Sequence, residues 1–579
     1  MEERLVRLQE FSNETDLNRV ELHDTKIGVI CAGICYQYAR EVFGDGASYL
    51  KLGFTYPMPD RKIREFAAQV DKLYVLEELD PFIEDYVRGL GIECTGKAVL
   101  PLYLEYSADI IRRALGLPGV SAAYETPVQA PVRPASFCAG CPHRGIYHEI
   151  SKYNGKIVAT GDIGCYALNI NPPFSVTHTQ IDMGGSITAG HGFERVERFA
   201  QRGLKVFSFI GDSTFFHSGI TGLINAVYNG AKTSIFILDN STTGMTGHQD
   251  NPVTGVTLMK DVTTAVDIRT LVLGCGVKPE NVRTVDPYDL KATAAVVKEA
   301  YEAEDLFVVI VRQPCALLKS VIAHRKGQHC RVNADKCRSC KVCINKTACP
   351  ALTVGKTACP FPPRTATGAP SASRSAPSAL LRRRASDMSN TRSIAIVGVG
   401  GQGTVLTSDI LIEGLVDLGF DVKKTEQHGL SQRGGSVNCM VKYGQAVYAP
   451  IIADGEADVV VAFEKIEALR WLKLLKAGGT LIVNDNEILP IPVKMGKASY
   501  PHDAIEQLEQ TVEHVCPIRA TELAQQLGTI RVASIILLGA LVKKLGLEQY
   551  DWTSLIRRKV PAKFLEANLK AYQVGLQSV

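Results

Sequence analysis

The sequence predicts an α/β protein built from several doubly wound parallel-sheet domains. Short apolar runs typical of buried strands recur along the chain, helical patterns separate them, and most of the runs end in polar or glycine-rich residues. The length of 579 residues suggests about four domains, at about 150 residues per domain. With 46% hydrophobic and 21% charged residues, the composition excludes a wholly disordered chain.

Residues 1–124 predict the first domain. Lys26–Cys31 is typical of a buried strand and Tyr36–Phe43 of a helix. The strand pattern at Leu73–Glu77 and the helical pattern at Pro81–Arg88 repeat this alternation. Parallel α/β domains are built from such repeats.

Residues 125–326 show the same pattern more strongly and predict a second domain. Four apolar runs predict its strands: Ile157–Thr160, Lys205–Ile210, Thr233–Leu238 and Leu306–Val311. Ligands of doubly wound sheets collect at the carboxyl ends of the strands, so the residues that follow these runs are candidate ligands.

Three further regions complete the chain. Residues 327–359 form a short cysteine cluster. Residues 360–392 consist mainly of Pro, Ser, Ala, Thr and Arg, with Asp387 as the single acidic residue, which predicts a disordered linker. Residues 393–579 open with the strand pattern Ser393–Val397 and return to α/β alternation.

Charge and hydropathy restrict where the protein works. A balance of 64 basic and 60 acidic side chains leaves a net charge of +4, which argues against a dedicated nucleic-acid binder. The longest apolar runs, such as Ala533–Val542, are about half of the ~20 residues that cross a bilayer. The charged N-terminal sequence lacks a secretory core. We expect a cytoplasmic protein without membrane contact, where structural disulfides are disfavoured, so the 16 cysteines indicate another role.

The first candidate site follows two neighbouring predicted strands. Gly211, Asp212 and Ser213 follow one strand, and Asn240 follows the next. The spacing fits one strand–helix–strand crossover, which would place both groups at adjacent strand ends. A carboxylate, an amide oxygen and the backbone carbonyl of Thr242 are ligands that suit a hard divalent cation carrying a diphosphate. The alternative is a pair of ordinary strand-end turns.

The second candidate site contains cysteines. Cys138 and Cys141 form a CxxC pair directly before His143 and Arg144. Taken alone, a CxxC pair in a cytoplasmic protein indicates either a redox pair or, as the composition favours, zinc.

These motifs together resemble a known family. The run 211–240 resembles the thiamine-diphosphate motif, although Ser213 replaces its last glycine and Asp239 its first asparagine. The segments CAGCPHRG, GDIGCYALN, MGGS and LDNSTTGMTG occur in the order found in the larger subunit of indolepyruvate:ferredoxin oxidoreductases, within the 2-oxoacid:ferredoxin oxidoreductase superfamily. The resemblance covers nearly all of residues 1–359 and implies a transketolase C-terminal-like domain, then a thiamine-diphosphate-binding domain.

The resemblance also implies cofactors. Mg²⁺ would be held by Asp212, Asn240 and Thr242, and His143 or Arg144 would contact substrate or diphosphate. Further cofactor contacts would come from Gly161, Asp162, Gly184, Gly185, Gly211 and Ser213. A 4Fe-4S cluster would be held by Cys138, Cys141, Cys165 and Cys315. The alternative is that the last two are ordinary buried cysteines.

A third group of cysteines resembles a bacterial ferredoxin segment. It consists of Cys337, Cys340, Cys343 and Cys349, the last followed by proline. This pattern implies a second 4Fe-4S cluster, with zinc as the alternative. In two-cluster ferredoxins the last cysteine of each segment ligates the other segment's cluster. Because no second segment follows here, the fourth ligand stays open among Cys330, Cys349 and Cys359.

The C-terminal region carries a glycine loop, residues 398–403. Alone, this GxGxxG pattern fits a dinucleotide site with Glu426 as the ribose-binding acid. The sequence from residue 393 to the end, however, resembles the smaller subunit of the same oxidoreductases, which displaces the nicotinamide interpretation. Arg433 with Gly434–Gly435 would then face the active centre, or form a structural turn at the subunit interface. The glycine loop would hold an anion at a helix N-terminus, or also be structural.

The resemblance implies oxidative decarboxylation of an aryl pyruvate by an enzyme of the EC 1.2.7 class. The 2-oxoacid, coenzyme A and oxidised ferredoxin would yield an arylacetyl-CoA, carbon dioxide and reduced ferredoxin. Two alternatives remain: a non-oxidative thiamine-dependent decarboxylase, and a non-catalytic fragment or partner subunit.

The sequence also departs from the family. We find no stretch that matches the pyrimidine-binding domain, whose glutamate activates thiamine, so we expect a separate chain to supply it within an oligomer. Residues 388–397 read like the start of a second protein, and the composition before them resembles out-of-frame translation. We therefore hypothesise a frameshifted junction between a partial large subunit and a small subunit.

Overall fold

The computed structural model describes residues 2–126, 128–325, 332–333, 335–352, 391–428 and 434–579. Within these ranges the strands form three sheets flanked by helices, which confirms the α/β class. Arg433, Cys330, Cys359 and nearly all of the predicted linker lie outside the described residues. In the described part of the chain, no helix combines the length and apolarity needed to span a bilayer.

The first sheet has the order β1–β3–β2–β4. Its elements are α1 Glu2–Glu14, β1 Arg19–Glu21, β2 Ile27–Ala32, α2 Ile34–Phe43, β3 Ser48–Leu52, α3 Asp60–Ala67, β4 Lys72–Leu76, α4 Phe82–Gly89 and α5 Ala108–Ala114. The pairs among β2, β3 and β4 are parallel, whereas β1 is antiparallel to β3. The parallel-sheet prediction missed β1 because this edge strand is three residues long and largely exposed, so it carries no apolar run.

The second sheet is wholly parallel, in the order β6–β5–β7–β8–β10–β9. Its elements are α6 His143–Ile150, β5 Ile157–Gly161, β6 Thr179–Gln180, α7 Gly185–Ala200, β7 Lys205–Gly211, α8 Asp212–Thr214, α9 Ile220–Tyr228, β8 Ser234–Asp239, α10 Ile268–Gly274, β9 Val282–Val285, α11 Leu290–Glu302 and β10 Phe307–Arg312. Two short helices follow: α12 Lys319–His324 and α13 Val342–Thr347.

Alternate side chains of the second sheet enter two cores. Phe207 and Phe236 pack with α6 and α11 on one face. Ile235 and Ile237 pack with α9 and α10 on the other. Because both faces are covered by helices, the strands read as continuous apolar runs, and their carboxyl ends form one common edge of the sheet.

The third sheet is mixed, in the order β12–β13–β11–β14–β15–β16. Its elements are β11 Arg392–Val399, α14 Thr404–Asp417, β12 Asp421–His428, β13 Ser436–Gly444, β14 Ala457–Ala462, α15 Lys465–Trp471, β15 Leu475–Asn484, α16 Ile491–Lys494, α17 Ala504–Thr511, β16 His514–Ile518, α18 Ala520–Gln526, α19 Ala533–Leu545, α20 Trp552–Lys559 and α21 Leu565–Gln577. The first two strand pairs are antiparallel and the others parallel. The longest apolar run of the sequence is α19, which is buried against α14, α20 and α21.

Candidate functional site

The carboxyl edge of the second sheet gathers most of the predicted site residues. β7 and β8 are adjacent and parallel, with Gly211 opposite Leu238. Asp212 and Asn240 therefore emerge next to each other, and both are buried. The crossover spacing predicted this proximity from the sequence.

Asp212 is a buried carboxyl group at this edge with one oxygen left unpaired. Its Oδ1 accepts a hydrogen bond from the backbone N–H of Ser213 at 2.8 Å. Its Oδ2 is buried without a hydrogen bond of standard geometry, as is the amide nitrogen of Asn251 beside it. Burial, together with the nearby carboxylate of Asp239, raises the pKa of Asp212 to about 7. The closeness of the Asn251 amide partly offsets the rise in the pKa of Asp212. Asp239 is itself neutralised by Arg312, whose Nε donates to it at 2.7 Å. A cation beside Asp212 would pair with its unbonded oxygen, and a buried carboxylate oxygen of this kind is a ligand that fits Mg²⁺.

The loop after β8 is organised by its own polar groups. The side-chain oxygen of Asn240 accepts from the backbone N–H of Thr242 at 3.2 Å. The Thr242 hydroxyl donates to the carbonyl of Gln249 at 3.3 Å. The Asn240 amide nitrogen lies 3.4 Å from Nε2 of His143. Burial lowers the pKa of His143 to about 4, so this imidazole is neutral near pH 7.

Asp162 fixes the glycine turn that starts α7. Its Oδ2 accepts from the backbone N–H of Gly184 at 3.0 Å. Gly184 has a φ of +96°, and a Cβ there would lie 2.2 Å from the Ser218 hydroxyl, so only glycine fits. Burial raises the pKa of Asp162 to about 7. The turn thus keeps backbone close to the edge where a diphosphate would lie.

Tyr166 belongs to this site, although the sequence interpretation omitted it. Its hydroxyl donates to Oδ1 of Asp162. Its ring lies beneath Gly211, where an added Cβ would come within 2.7 Å of it. The available sequence signal was its position directly after Cys165 in the GDIGCY segment.

The four cysteines of the second candidate site line one cavity. Cys138, Cys141, Cys165 and Cys315 surround about 20 Å³ of free volume. Across the described residues, no group of three or more Cys, His, Asp or Glu side chains is arranged to hold one metal ion. The donor set is nevertheless four thiols and suits an iron–sulfur cluster. The backbone N–H of Cys315 donates to the carbonyl of Asn240 at 2.8 Å, so this cavity adjoins the Asp212 edge.

Arg144 is directed at backbone carbonyls. Its guanidinium donates to the carbonyls of Phe137, Cys138 and Thr347. Phe137 and Cys138 start the CxxC loop, whereas Thr347 lies in the ferredoxin-like segment. Arg144 therefore ties the two cysteine regions together.

The ferredoxin-like segment is only partly covered. Cys337, Cys340 and Cys343 are exposed, whereas Cys349 is partly buried. Cys349 lies within electrostatic reach of Arg144 and Lys494. The Lys494 ammonium also donates to the carbonyl of Pro350 at 2.9 Å, which holds this segment against the third sheet's domain.

In the C-terminal glycine loop, residues 398–403, the side chain of Gln402 pairs with nearby backbone groups. The side chain of Gln402 accepts from the backbone N–H of Val399 at 2.7 Å and donates to the carbonyl of Phe463 at 2.8 Å. β13 lies between β11 and β12 in the sheet, so the strand that carries Glu426 is not the neighbour of the strand that leads into this loop. The geometry therefore does not support the dinucleotide alternative.

The sequence did not predict a buried ion cluster at the carboxyl edge of the third sheet. Arg133, from the second region of the chain, lies 2.9 Å from Glu467 and 3.2 Å from Glu464. Glu464 follows β14 and also accepts from the Tyr500 hydroxyl at 2.7 Å. This cluster joins the second and third regions through buried charges.

Two family models match the chain. Residues 162–311 match "Thiamine pyrophosphate enzyme, C-terminal TPP binding domain". Residues 393–578 match "Pyruvate ferredoxin/flavodoxin oxidoreductase". The two matches place this chain in the class of proteins that combine a thiamine pyrophosphate binding domain with a pyruvate ferredoxin/flavodoxin oxidoreductase domain.

Individual relatives refine this class. The chain is 37% identical over 346 residues to indolepyruvate oxidoreductase subunit IorA of Archaeoglobus fulgidus, covering 56% of this chain and 54% of the relative. It is 35% identical over 193 residues to subunit IorB of Thermococcus kodakarensis, covering 32% of this chain and 95% of the relative. The gamma subunit structure of keto/oxoacid ferredoxin oxidoreductase from Geobacter sulfurreducens is 22% identical and covers 33% of this chain and 96% of its own, with a TM-score of 0.26.

The chain belongs to the indolepyruvate oxidoreductase family and joins regions similar to its subunits IorA and IorB in one polypeptide. It spans about half the length of the IorA relatives that it matches.

Proposed function

We propose that this chain carries the diphosphate-binding half of a thiamine-diphosphate site and the iron–sulfur centres of an indolepyruvate oxidoreductase. The proposed reaction converts an aryl 2-oxoacid anion, coenzyme A and two equivalents of oxidised ferredoxin into arylacetyl-CoA, carbon dioxide, two equivalents of reduced ferredoxin and one proton. The observation that carries the proposal is the buried, unpartnered Oδ2 of Asp212, at a sheet edge within the region matched by the thiamine pyrophosphate model.

The residues at this edge have distinct proposed roles. Asp212 and Asn240 bind Mg²⁺ through their side-chain oxygens, and Thr242 through its backbone carbonyl. Asp162 holds the glycine turn at Gly184 against the diphosphate. The same surface takes in Gly161, Gly185, Gly211 and Ser213. When bound, thiamine diphosphate supplies the electron-accepting ring for decarboxylation.

We propose that the side chain of His143 contacts the substrate or the diphosphate. Its imidazole is neutral, lies beside the Asn240 amide and borders the cysteine cavity. A neutral ring in this place donates or accepts a hydrogen bond without adding charge next to Asp212. Arg144 serves instead as a support, because its guanidinium donates hydrogen bonds to three backbone carbonyls.

Electrons are proposed to leave through two clusters. Cys138, Cys141, Cys165 and Cys315 would hold a 4Fe-4S cluster, which would supply one-electron transfer next to the Asp212 edge. Cys337, Cys340, Cys343 and Cys349 would hold a second cluster, which would supply the same chemistry nearer the surface and toward ferredoxin. Two observations support this direction: three cysteines of the second set are exposed, and Arg144 links its segment to the CxxC loop.

We also propose the domain bounds and a partner. The domains are 1–124 (transketolase C-terminal-like), 125–326 (thiamine-diphosphate binding), 327–359 (partial ferredoxin-like), 360–392 (linker) and 393–579 (small-subunit type). A separate chain supplies the pyrimidine-binding domain within a cytoplasmic oligomer. In support, the loops at the Asp212 edge expose a set of apolar side chains: Ile181, Met183, Leu258, Met259 and Val262.

The test uses the full chain purified without oxygen. We expect bound iron and labile sulfide, and a rise in melting temperature with thiamine diphosphate plus Mg²⁺ but not with either alone. With indolepyruvate, coenzyme A and a viologen acceptor, we expect little turnover until a complementing chain is added. A protein that lacks iron yet releases carbon dioxide would instead be a non-oxidative decarboxylase. Absence of cofactor binding would identify a non-catalytic partner.

A further inference from the structure

His248 has no role so far, yet it borders the four-cysteine cavity. It lies in a tight loop after β8 that is closed by pairing between Thr243 and Gln249. The backbone N–H of Thr243 donates to Gln249 at 2.9 Å, and that of His248 donates back to Thr243 at 3.1 Å. These backbone hydrogen bonds hold His248 in place within the loop.

The backbone of His248 is in an uncommon conformation. Its φ is +66°, in the left-handed region that few residues other than glycine adopt, and Gly247 before it has a φ of +129°. Such conformations persist only where the surroundings impose them, and they cluster at functional sites. Here the turn brings Nε2 of His248 to 3.7 Å from Sγ of Cys315.

We propose that His248 is a positioning residue of the four-cysteine site, which donates a hydrogen bond from Nε2 to the Cys315 thiolate when a cluster is held. The inference rests on the proposed cluster at Cys138, Cys141, Cys165 and Cys315. A cluster-bound thiolate can only accept, so Nε2 carries the proton. Reduction adds one negative charge to the cluster, and a hydrogen bond to a ligand sulfur stabilises that charge. His248 therefore raises the reduction potential of this cluster.

The experiment compares the wild type with H248F, H248Q and T246A, and uses C315S and C337S to assign the signal, all as the full chain reconstituted anaerobically with iron and sulfide. H248F keeps a ring and removes the donor, whereas H248Q keeps an N–H donor. T246A is the matched control: the Thr246 hydroxyl bonds the Gln249 side chain at 2.7 Å in the same loop, but Thr246 does not line the cavity. Iron content and the midpoint potential of the reduced cluster, followed by electron paramagnetic resonance, are measured for each form.

The relevant signal is the one lost in C315S and kept in C337S. We expect equal potentials in the wild type and T246A. H248F should shift the reduction equilibrium about tenfold toward the oxidised cluster, which is about 59 mV for a one-electron couple. H248Q should lie between them. A cluster that H248Q keeps and H248F loses would also support the donor role.

Two results would overturn the inference. One is an H248F protein with full iron and the wild-type potential. The other is loss of the cluster in both H248F and H248Q while T246A keeps it, which would make His248 an iron ligand or a packing residue. A wild-type chain without the C315S-sensitive signal would instead refute the proposed cluster, so the two failures are distinguishable.

Discussion

At the carboxyl edge of the second sheet, Asp212 is buried after β7 with one carboxylate oxygen unpartnered. At the corresponding edge of the third sheet, the loop after β11 is glycine-rich. There, the side chain of Gln402 satisfies Val399 N–H and the carbonyl of Phe463. The loop after β7 leaves a carboxylate oxygen that a bound ligand would pair. In the loop after β11, the side chain of Gln402 already pairs the backbone groups.

The buried carboxylates of the two edges differ in the same way. Glu464 and Glu467 of the third sheet's edge are paired with Arg133. Within the described residues Asp212 forms no ion pair, and the guanidinium of Arg312 is engaged by the neighbouring Asp239. A buried charge paired within the chain indicates an internal contact, whereas a buried charge with an unpaired oxygen indicates a ligand site. Glycine patterns alone do not separate the two cases.

The largest expected change in ligand binding comes from Asp212→Asn. It removes the charged cation ligand, so the stabilisation by Mg²⁺ and thiamine diphosphate should disappear. In the wild type that stabilisation should be about 2.7 kcal/mol at a ligand concentration of one hundred times Kd. Thermal unfolding with and without both ligands measures it. Asp250→Asn is the control, since Asp250 lies in the loop after β8 but already pairs with Lys260. A full ligand shift in the Asp212 variant would remove Asp212 from the cation site.

Asp212 and Asn240 could be found from the sequence because they follow continuous apolar runs, and such runs mark buried parallel strands. The predicted strand Lys205–Ile210 differs from β7 by one residue. The hairpin of β12 and β13 was missed, because strand direction leaves no trace in hydrophobic periodicity.

Other site residues could not be found in this way. Arg133 meets Glu467 across 334 positions of sequence, and no local pattern encodes that contact. His248 reaches Cys315 only because its loop adopts positive φ angles. Both depend on tertiary geometry, which a motif search does not contain.

The second prediction tests the internal contact. Arg133→Met should destabilise the protein by about 3–5 kcal/mol, because it leaves Glu464 buried without a cation and Glu467 with Arg470 as its remaining partner. Urea unfolding measures this change. Arg519→Met is the matched control, since Arg519 is exposed and pairs with Asp485 at the surface. Its cost should be about 0–1 kcal/mol. Equal costs for the two variants would mean that the buried cluster does not hold the regions together.

The third prediction concerns how the contribution of Asp212 to stability changes with pH. Asp212 ordinarily ionises near pH 3.8, whereas burial and Asp239 raise its pKa to about 7 in the folded protein. Between these values the unfolded chain has released the proton and the folded chain still holds it. The contribution of Asp212 to stability therefore falls as pH rises through this window and levels off above about 7.

Without ligands, Asp212→Asn should thus be more stable than the wild type at pH 8, by up to a few kcal/mol, and nearly equal to it at pH 4. Chemical unfolding at both pH values measures the difference. A difference that does not change with pH would show that Asp212 is not the group that titrates.

The smallest expected effect is that of Gln402→Ala in the self-filled loop. It removes the acceptor that the side chain offers to Val399 N–H and one of the two donors to the carbonyl of Phe463, which keeps the Asn484 amide. The cost should be about 1–3 kcal/mol. Gln402→Glu keeps the acceptor for Val399 and loses only the donor, so it should cost less. Both variants should keep the full thiamine diphosphate and Mg²⁺ stabilisation in thermal unfolding. If Gln402→Ala instead gained stability from added phosphate, the emptied loop would be an anion site that the side chain normally occupies. The two edges would then differ by one glutamine rather than by the kind of site they form.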